Sequence, residues 1–353
     1  MGIVFEPKEV EEHRVGSLEN FIEKAGGCAV IDGGFATQLE LHGASINDPL
    51  WSALCLIDNP HLLSKVHLEY LEAGADIIVT SSYQGITFLG FYGHFIIMAT
   101  LPGFISRGLS LEQGEKLLEK SVKLATEARD DFWESVKKIP DHTYNRALVA
   151  ASIGSYGAYL ADGSEYSGYY GPDVDLNKVK DFHRRRLQVL VEAGPDLLAF
   201  ETIPNKLEAQ AVAELLEEEN VEIPSWVCFS SVDGVNAPSG ESFKECLEVL
   251  NTSKRIAAVG INCAPPQFVH DLIKKFKELT GKVIVVYPNS GEIWDGVAKR
   301  WLPSKCFNDD KFKVFATRWR DSGAKLIGGC CRTTPSTTRA LSKVLKQSSL
   351  ATN

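Results

Sequence analysis

Eight short apolar runs recur along the chain: CAVIDGG (28–34), ADIIVTSSY (75–83), ALVAASIG (147–154), DLLAFET (196–202), SWVCFSS (225–231), AAVGINC (257–263), KVIVVYPN (282–289) and AKLIGGCC (324–331). Their Val, Ile, Ala and Leu are nearly continuous, the pattern of parallel strands covered on both faces. Between them the apolar positions return with helical period, as in NPHLLSKVHLEYLEAG (59–74), LEQGEKLLEKSVKLATEARDDFWESVKK (111–138) and NKVKDFHRRRLQVLVEAG (177–194). Two of these end on Gly, a usual residue after a helix C-terminus. Eight strands alternating with helices predict an α/β fold, a single-domain (β/α)8 TIM barrel, with an open doubly wound sheet as the alternative. DGGFAT after the first run is not the GxGxxG turn of a dinucleotide site, which weakens that alternative.

A barrel places its chemistry at the C-terminal ends of its strands. Those ends carry Asp32, Ser81 to Gln84, Ser152 to Tyr156, Glu201, Asn262-Cys263, Asn289 and Cys330-Cys331. Adjacent residues on a regular strand face opposite ways, so Cys330 and Cys331 cannot share a site unless the chain bends. Gly328 and Gly329 supply backbone freedom for such a bend. Cys263, two strands away on the same rim, then makes a third thiol, and zinc accepts three thiolates with one position left open. The alternative is plain burial, since free Cys often packs as a small hydrophobe. That reading covers Cys28, Cys55, Cys228, Cys246 and Cys306.

The chain has 353 residues, 44% hydrophobic and 24% charged, with a net charge of −9. Such a balance suits a soluble globular protein and speaks against a nucleic-acid footprint or a polybasic membrane surface. The acidic start MGIVFEPKEVEEHRVG shows no signal-peptide pattern, and eight scattered Cys make no disulfide framework, so a reducing, cytoplasmic setting is expected. The run His183-Arg184-Arg185-Arg186, flanked by acids, reads as a solvated helix face.

DGGFATQLE, SSYQ, ASIGSYGAYLADGSEYSG, FETIPN, GINCAPP, YPNSGE and GGCCRTTP together resemble the zinc-dependent homocysteine S-methyltransferases, those of plants most of all. The resemblance spans about residues 18–345, leaving 1–17 as an N-terminal extension and 346–353 as a tail. It implies Zn²⁺ on Cys263, Cys330 and Cys331, homocysteine as acceptor, S-methylmethionine as donor with S-adenosylmethionine a poorer one, and a monomer. Three thiolates and Zn²⁺ carry a formal charge of −1, which keeps a substrate thiolate electron-rich. Asp32 and Glu201 are then candidates for the substrate ammonium group, or else caps of the following helices. Gly33 and Gly34 bring backbone N–H groups to the substrate carboxylate. Asn262 orients Cys263 or serves structure alone. Ser82, Tyr83 and Tyr156 offer contacts to a sulfonium, or rim packing. Selenocysteine as acceptor, and an impaired chain acting only as a binding protein, are the competing functions.

One segment departs from that resemblance. Plant relatives run from SSYQ to an ATxPGF-like stretch without interruption, whereas GITFLGFYGHFIIM (85–98) intervenes here. It is apolar and too short to span a bilayer. It reads as a sequence accident of intron or gene-boundary origin; the alternative is an apolar lid on the active rim. Removing 85–98 is expected to raise soluble yield or activity, measured side by side with the full chain. Equal yield and activity would sink the idea that the segment is harmful.

Overall fold

The computed structural model describes residues 18–44, 54–83, 101, 105, 108–160, 162–295, 300–302 and 308–347. The expected N-terminal extension 1–17, the segment 85–98 and Cys306 lie outside the described residues. All eight apolar runs become strands of one parallel sheet: β1 (Ala29–Val30), β2 (Ile77–Val79), β3 (Leu148–Gly154), β4 (Leu197–Ile203), β5 (Ser225–Phe229), β6 (Ile256–Asn262), β7 (Val283–Tyr287) and, after a two-stranded antiparallel hairpin of β8 (Ile293–Asp295) and β9 (Arg300–Leu302), β10 (Ala324–Ile327). The order is β1-β10-β7-β6-β5-β4-β3-β2. The two edges meet through an Ile31–Ile77 bridge, with Asp76 N–H on Val30 O (2.7 Å) and Asp32 N–H on Ile77 O (3.0 Å). A (β/α)8 barrel results. The hairpin β8–β9 and the short helices Tyr156–Leu160 and Ser164–Ser167 are elements that the sequence pattern did not reveal.

Period-two alternation explains why the strands are apolar throughout. On β4, Leu197 and Ala199 face the barrel interior with Ile31, Ala150, Trp226 and Val285, while Leu198 and Phe200 pack outward against the helices. Each run therefore divides its side chains between two cores. The same parity carries Ser152, Glu201 and Tyr287 to the top of the interior, one step beyond Ala150, Ala199 and Val285. Gly260 on β6 sits where a Cβ would fall 1.7 Å from Val285 O, so only glycine lets β6 and β7 approach this closely.

Outside, helices Pro60–Glu72, Leu111–Val136, Leu176–Glu192, Lys206–Glu218, Phe243–Leu250, Pro266–Leu279, Asp309–Ser322 and Pro335–Gln347 cover the barrel. Leu111–Val136 starts at a reciprocal capping box of Ser110 and Gln113, which satisfies two otherwise orphaned donors. The basic run on Leu176–Glu192 is not the solvated face that its charge suggested. Arg184 and Arg185 do lie outward, paired with Glu218 (2.8 Å), Glu219 and Glu115 (2.5 Å). His183 and Arg186, three residues apart and so on one side of the helix, are buried. Among the described residues, no helix is long and apolar enough to cross a membrane.

Gly260→Ala is expected to destabilise the fold by about 3 kcal/mol or more, because the methyl meets rigid backbone rather than a movable side chain. Urea or thermal unfolding at fixed pH measures it.

Candidate metal and substrate centre

The turn after β10 solves the problem of the adjacent thiols. Cys330 continues the inward parity of Leu326 and packs against the interior core. A tight turn follows: Thr333 N–H bonds Cys330 O (3.1 Å), and Thr333 Oγ1 donates to the same oxygen (2.7 Å). The neighbouring loops pin it from both sides. Gly329 N–H bonds Asp32 O (3.0 Å), Cys330 N–H bonds Pro288 O (2.8 Å), and Ser290 N–H bonds Cys331 O (3.0 Å). The glycines act differently from the expectation. Neither Gly328 nor Gly329 has a positive φ. A Cβ on Gly328 would meet Ile31, and one on Gly329 would lie 2.3 Å from Thr333 Oγ1, so both serve close approach. The left-handed residues are instead Cys263 (φ 50°) and Arg332 (φ 65°).

Cys263, Cys330 and Cys331 come together, half-buried, with their ligand atoms all within 4.8 Å of one another. The sulfur of Cys331 lies 3.7 Å from that of Cys263 and 4.0 Å from that of Cys330. This cluster could hold a metal ion. Hydrogen bonding from the other two thiols holds the Cys331 thiol well below its usual range, and Arg332 adds to the effect. Burial above all, with Asp76 beside Cys28 and Glu241 and Glu245 beside Cys246, pushes these two thiols up to about 12; Cys55 and Cys228 are likewise buried and raised by burial.

Two carboxyls face the same rim. Glu201 is 6% exposed and is bonded by the hydroxyls of Ser152 and Tyr287. Burial pushes its pKa up to about 7 despite those bonds. Asp32, 3% exposed, accepts Val79 N–H (2.8 Å) across the β1–β2 seam. Burial lifts it well above the carboxylate range, and Glu201 adds to the rise. Neither carboxyl caps a helix: Gly34 precedes Phe35–Leu41, and Asn205 caps Lys206–Glu218. Two buried acids that resist ionisation thus stand together on this rim.

The remaining candidates separate. A Cβ on Gly33 would press on Thr333 and Tyr70, and the Gly34 N–H is engaged with Thr333 O and Oγ1 at 3.1 Å. The Asn262 side chain turns to Thr202, accepting its N–H (2.7 Å) and donating to its Oγ1 (2.9 Å). It thereby holds Thr202 at φ 59° beside Glu201. Cys263 is held by Asn289, whose Nδ2 donates to its carbonyl (3.2 Å). The Ser82 hydroxyl is buried and donates to Ser152 O (2.8 Å). Tyr83 hydrogen-bonds Thr202 and feels the charges of Glu165 and Cys263. Tyr156 packs in an aromatic cluster with Tyr159, Tyr170 and Phe182.

The sequence reading passed over Glu165, Tyr166 and Tyr70. Glu165 is buried, and its charge raises Tyr166, which also feels Cys263 and Cys331. Tyr70 reaches Thr333 O (3.4 Å) and feels Asp32 and Cys330. The signal available for the first two was their place in the long polar excursion after β3.

The homocysteine S-methyltransferase family profile matches residues 29–345. A protein named homocysteine S-methyltransferase 1 from Arabidopsis thaliana is 71% identical over 338 residues, covering 96% of this chain and 99% of its own. One of the same name from Zea mays is 64% identical, covering 94% and 98%. Among solved structures, the metallated homocysteine methyltransferase MmuM of Escherichia coli is similar with a TM-score of 0.75 and 37% identity, over 90% of this chain and 96% of that one.

Glu201 sets a pH dependence. A carboxyl raised from 4.5 to about 7 contributes stability that is fully present below about pH 4.5 and is lost as pH climbs through 7. Glu201→Gln should therefore gain stability relative to wild type across that window, reaching on the order of 3 kcal/mol above pH 7. Unfolding curves of substrate-free protein at pH 4.5 and 8 check the sign.

Proposed function

The chain belongs to the homocysteine S-methyltransferase family, and from that membership we propose that its three-thiol centre holds zinc and that the methyl group of S-methylmethionine passes there to homocysteine. The observation that carries the reading is the thiol spacing. Tetrahedral Zn–S bonds of about 2.3 Å set ligand sulfurs roughly 3.8 Å apart; two of the three separations here are 3.7 and 4.0 Å, and all lie within 4.8 Å. Thiolate ligands also suit zinc better than hard cations. Bound there, zinc supplies a Lewis acid that lowers the pKa of the substrate thiol, so that a thiolate exists at neutral pH.

The protein's own residues position the partners. Asp32 and Glu201 take the homocysteine ammonium group, and its charge draws both carboxyls into their ionised form. Gly33, too crowded for a side chain, leaves its backbone open to the homocysteine carboxylate. Asn262 fixes the Glu201–Thr202 turn, and Asn289 fixes Cys263. On the donor side, Tyr83, with Glu165 and Tyr166 beside it, faces the sulfonium. Ser82 supports this wall from behind, through the carbonyl of Ser152.

The reaction is an in-line displacement. The homocysteine sulfur, having released its proton to solvent, forms a bond to the methyl carbon as the carbon–sulfonium bond breaks. The electron pair of that bond stays on the departing sulfur, which leaves as the neutral thioether of methionine. A second methionine is formed from homocysteine. A sulfonium needs no proton to leave, so the site is built for placement and thiolate activation rather than acid catalysis. A cytoplasmic monomer is the form in which we expect it to work.

Cys330→Ser is expected to lower bound zinc well below one per chain and to cut methionine formation at least about a hundred-fold, since mere outer-shell changes at metal sites cost 10–100-fold. Metal analysis and turnover of homocysteine with S-methylmethionine, S-adenosylmethionine or neither check this, with selenocysteine as a second acceptor. Full activity of a zinc-free variant would overturn the mechanism; zinc in wild type without turnover would leave only a binding protein.

A further inference from the structure

The excursion after β3, described over residues 155–160 and 162–171, is tied down by a buried polar assembly outside the thiol centre. Glu208, on the first turn of Lys206–Glu218 and fully buried, receives three donors. Its Oε1 accepts Tyr156 N–H (2.6 Å) and His183 Nε2–H (2.6 Å), and its Oε2 accepts the Tyr170 hydroxyl. Arg186 Nη2 donates both to Gly154 O (2.7 Å), the last residue of β3, and to His183 Nδ1 (2.7 Å). An arginine only donates, so Nδ1 is the acceptor and the proton sits on Nε2. The imidazole is therefore neutral, in line with burial lowering its pKa. The charges of Arg186 and Glu208 balance through it. Arg186 Nε and Nη1 find no hydrogen-bond partner among the described residues, while its guanidinium lies 4.9 Å above the Phe182 ring.

The same turn grips the excursion again, since Asn205 donates from Nδ2 to Gly168 O (2.9 Å). Three points of the excursion, 156, 168 and 170, are thus fixed to the start of one helix. Between them lie Glu165 and Tyr166, and Ser230 Oγ, just past the end of β5, donates to the Glu165 carbonyl (3.4 Å), which keeps this segment on the rim that carries the thiol cluster. A buried ion balance of this kind contributes little net stability compared with apolar packing. What it does supply is a fixed location for the segment that it ties.

We propose that Glu208, held by His183 and Arg186, is a positioning residue that clamps the Glu165–Tyr166 segment over the thiol centre and so shapes the subsite for the cationic methyl donor, leaving the homocysteine half of the site to β1 and β4. The inference rests on the sulfonium-donor reading above.

Kinetics of the zinc-loaded full chain test it. Glu208→Gln is expected to raise KM for S-methylmethionine about ten-fold or more, with KM for homocysteine and zinc content within about two-fold of wild type. Tyr170→Phe, which removes one hydroxyl from the clamp, should show the same donor-selective defect at about three-fold. If Glu208→Gln does not accumulate as folded protein, Tyr170→Phe decides alone. Equal rises in both KM values, or no rise in either, would overturn the clamp. Wild-type turnover that ignores every sulfonium donor would overturn the donor reading itself, and is visible before any variant is made.

Discussion

Two neighbouring side chains of a strand cannot look the same way, yet this site needs Cys330 and Cys331 to do so. The whole C-terminal rim is arranged around that demand. The strand ends at Ile327, the chain turns sharply at Cys330–Thr333, and the loops after β1 and β7 fasten the turn by backbone hydrogen bonds. Gly328 and Gly329 matter because β1 and Thr333 press against them. The third sulfur arrives from β6 only because Cys263 adopts a left-handed backbone. Tertiary contacts, rather than local propensity, hold the three sulfurs within 4.8 Å of one another.

The barrel seam and the two buried rim acids are one structure. Asp32 closes the β1–β2 edge through Val79 and sits beside Glu201 in the low-dielectric top of the barrel. Below it, Asp76 accepts Val30 N–H (3.0 Å) and pairs with Lys346 (2.8 Å). The lower acid is neutralised by a lysine of the chain itself. Among the described residues no lysine or arginine forms a salt bridge with the upper pair, and burial keeps both carboxyls reluctant to ionise.

Much of this was legible beforehand. Near-continuous apolar runs announced parallel strands, and the barrel rule put Asp32, Glu201, Cys263 and Cys330-Cys331 on one rim before any distance was known. Side-chain partners were not legible. Whether Asn262 would turn to Cys263 or Thr202 depends on the register of β4 against its neighbours, which the chain's periodicity leaves open. His183 and Arg186 were misread because a charge run looks solvated until Glu208, twenty-odd residues on, is found opposite them. Glu165 and Tyr166 sit in an excursion without period, placed by long-range bonds to Asn205, Glu208 and Ser230. The hairpin β8–β9 is too short for its alternation to stand out.

Besides Arg332, two residues of the rim, Thr202 and Cys263, are β-carbon-bearing yet left-handed. Backbone strain of this kind costs roughly 1–3 kcal/mol at each position. For anyone seeking a hardier version of this protein, the obvious relief is glycine at both places. At 263 that exchange deletes a sulfur, and at 202 it deletes the hydroxyl that Asn262 and Tyr83 hold. At both positions the relief of backbone strain removes a side-chain group of the rim, so stabilising substitutions belong on the outer helices.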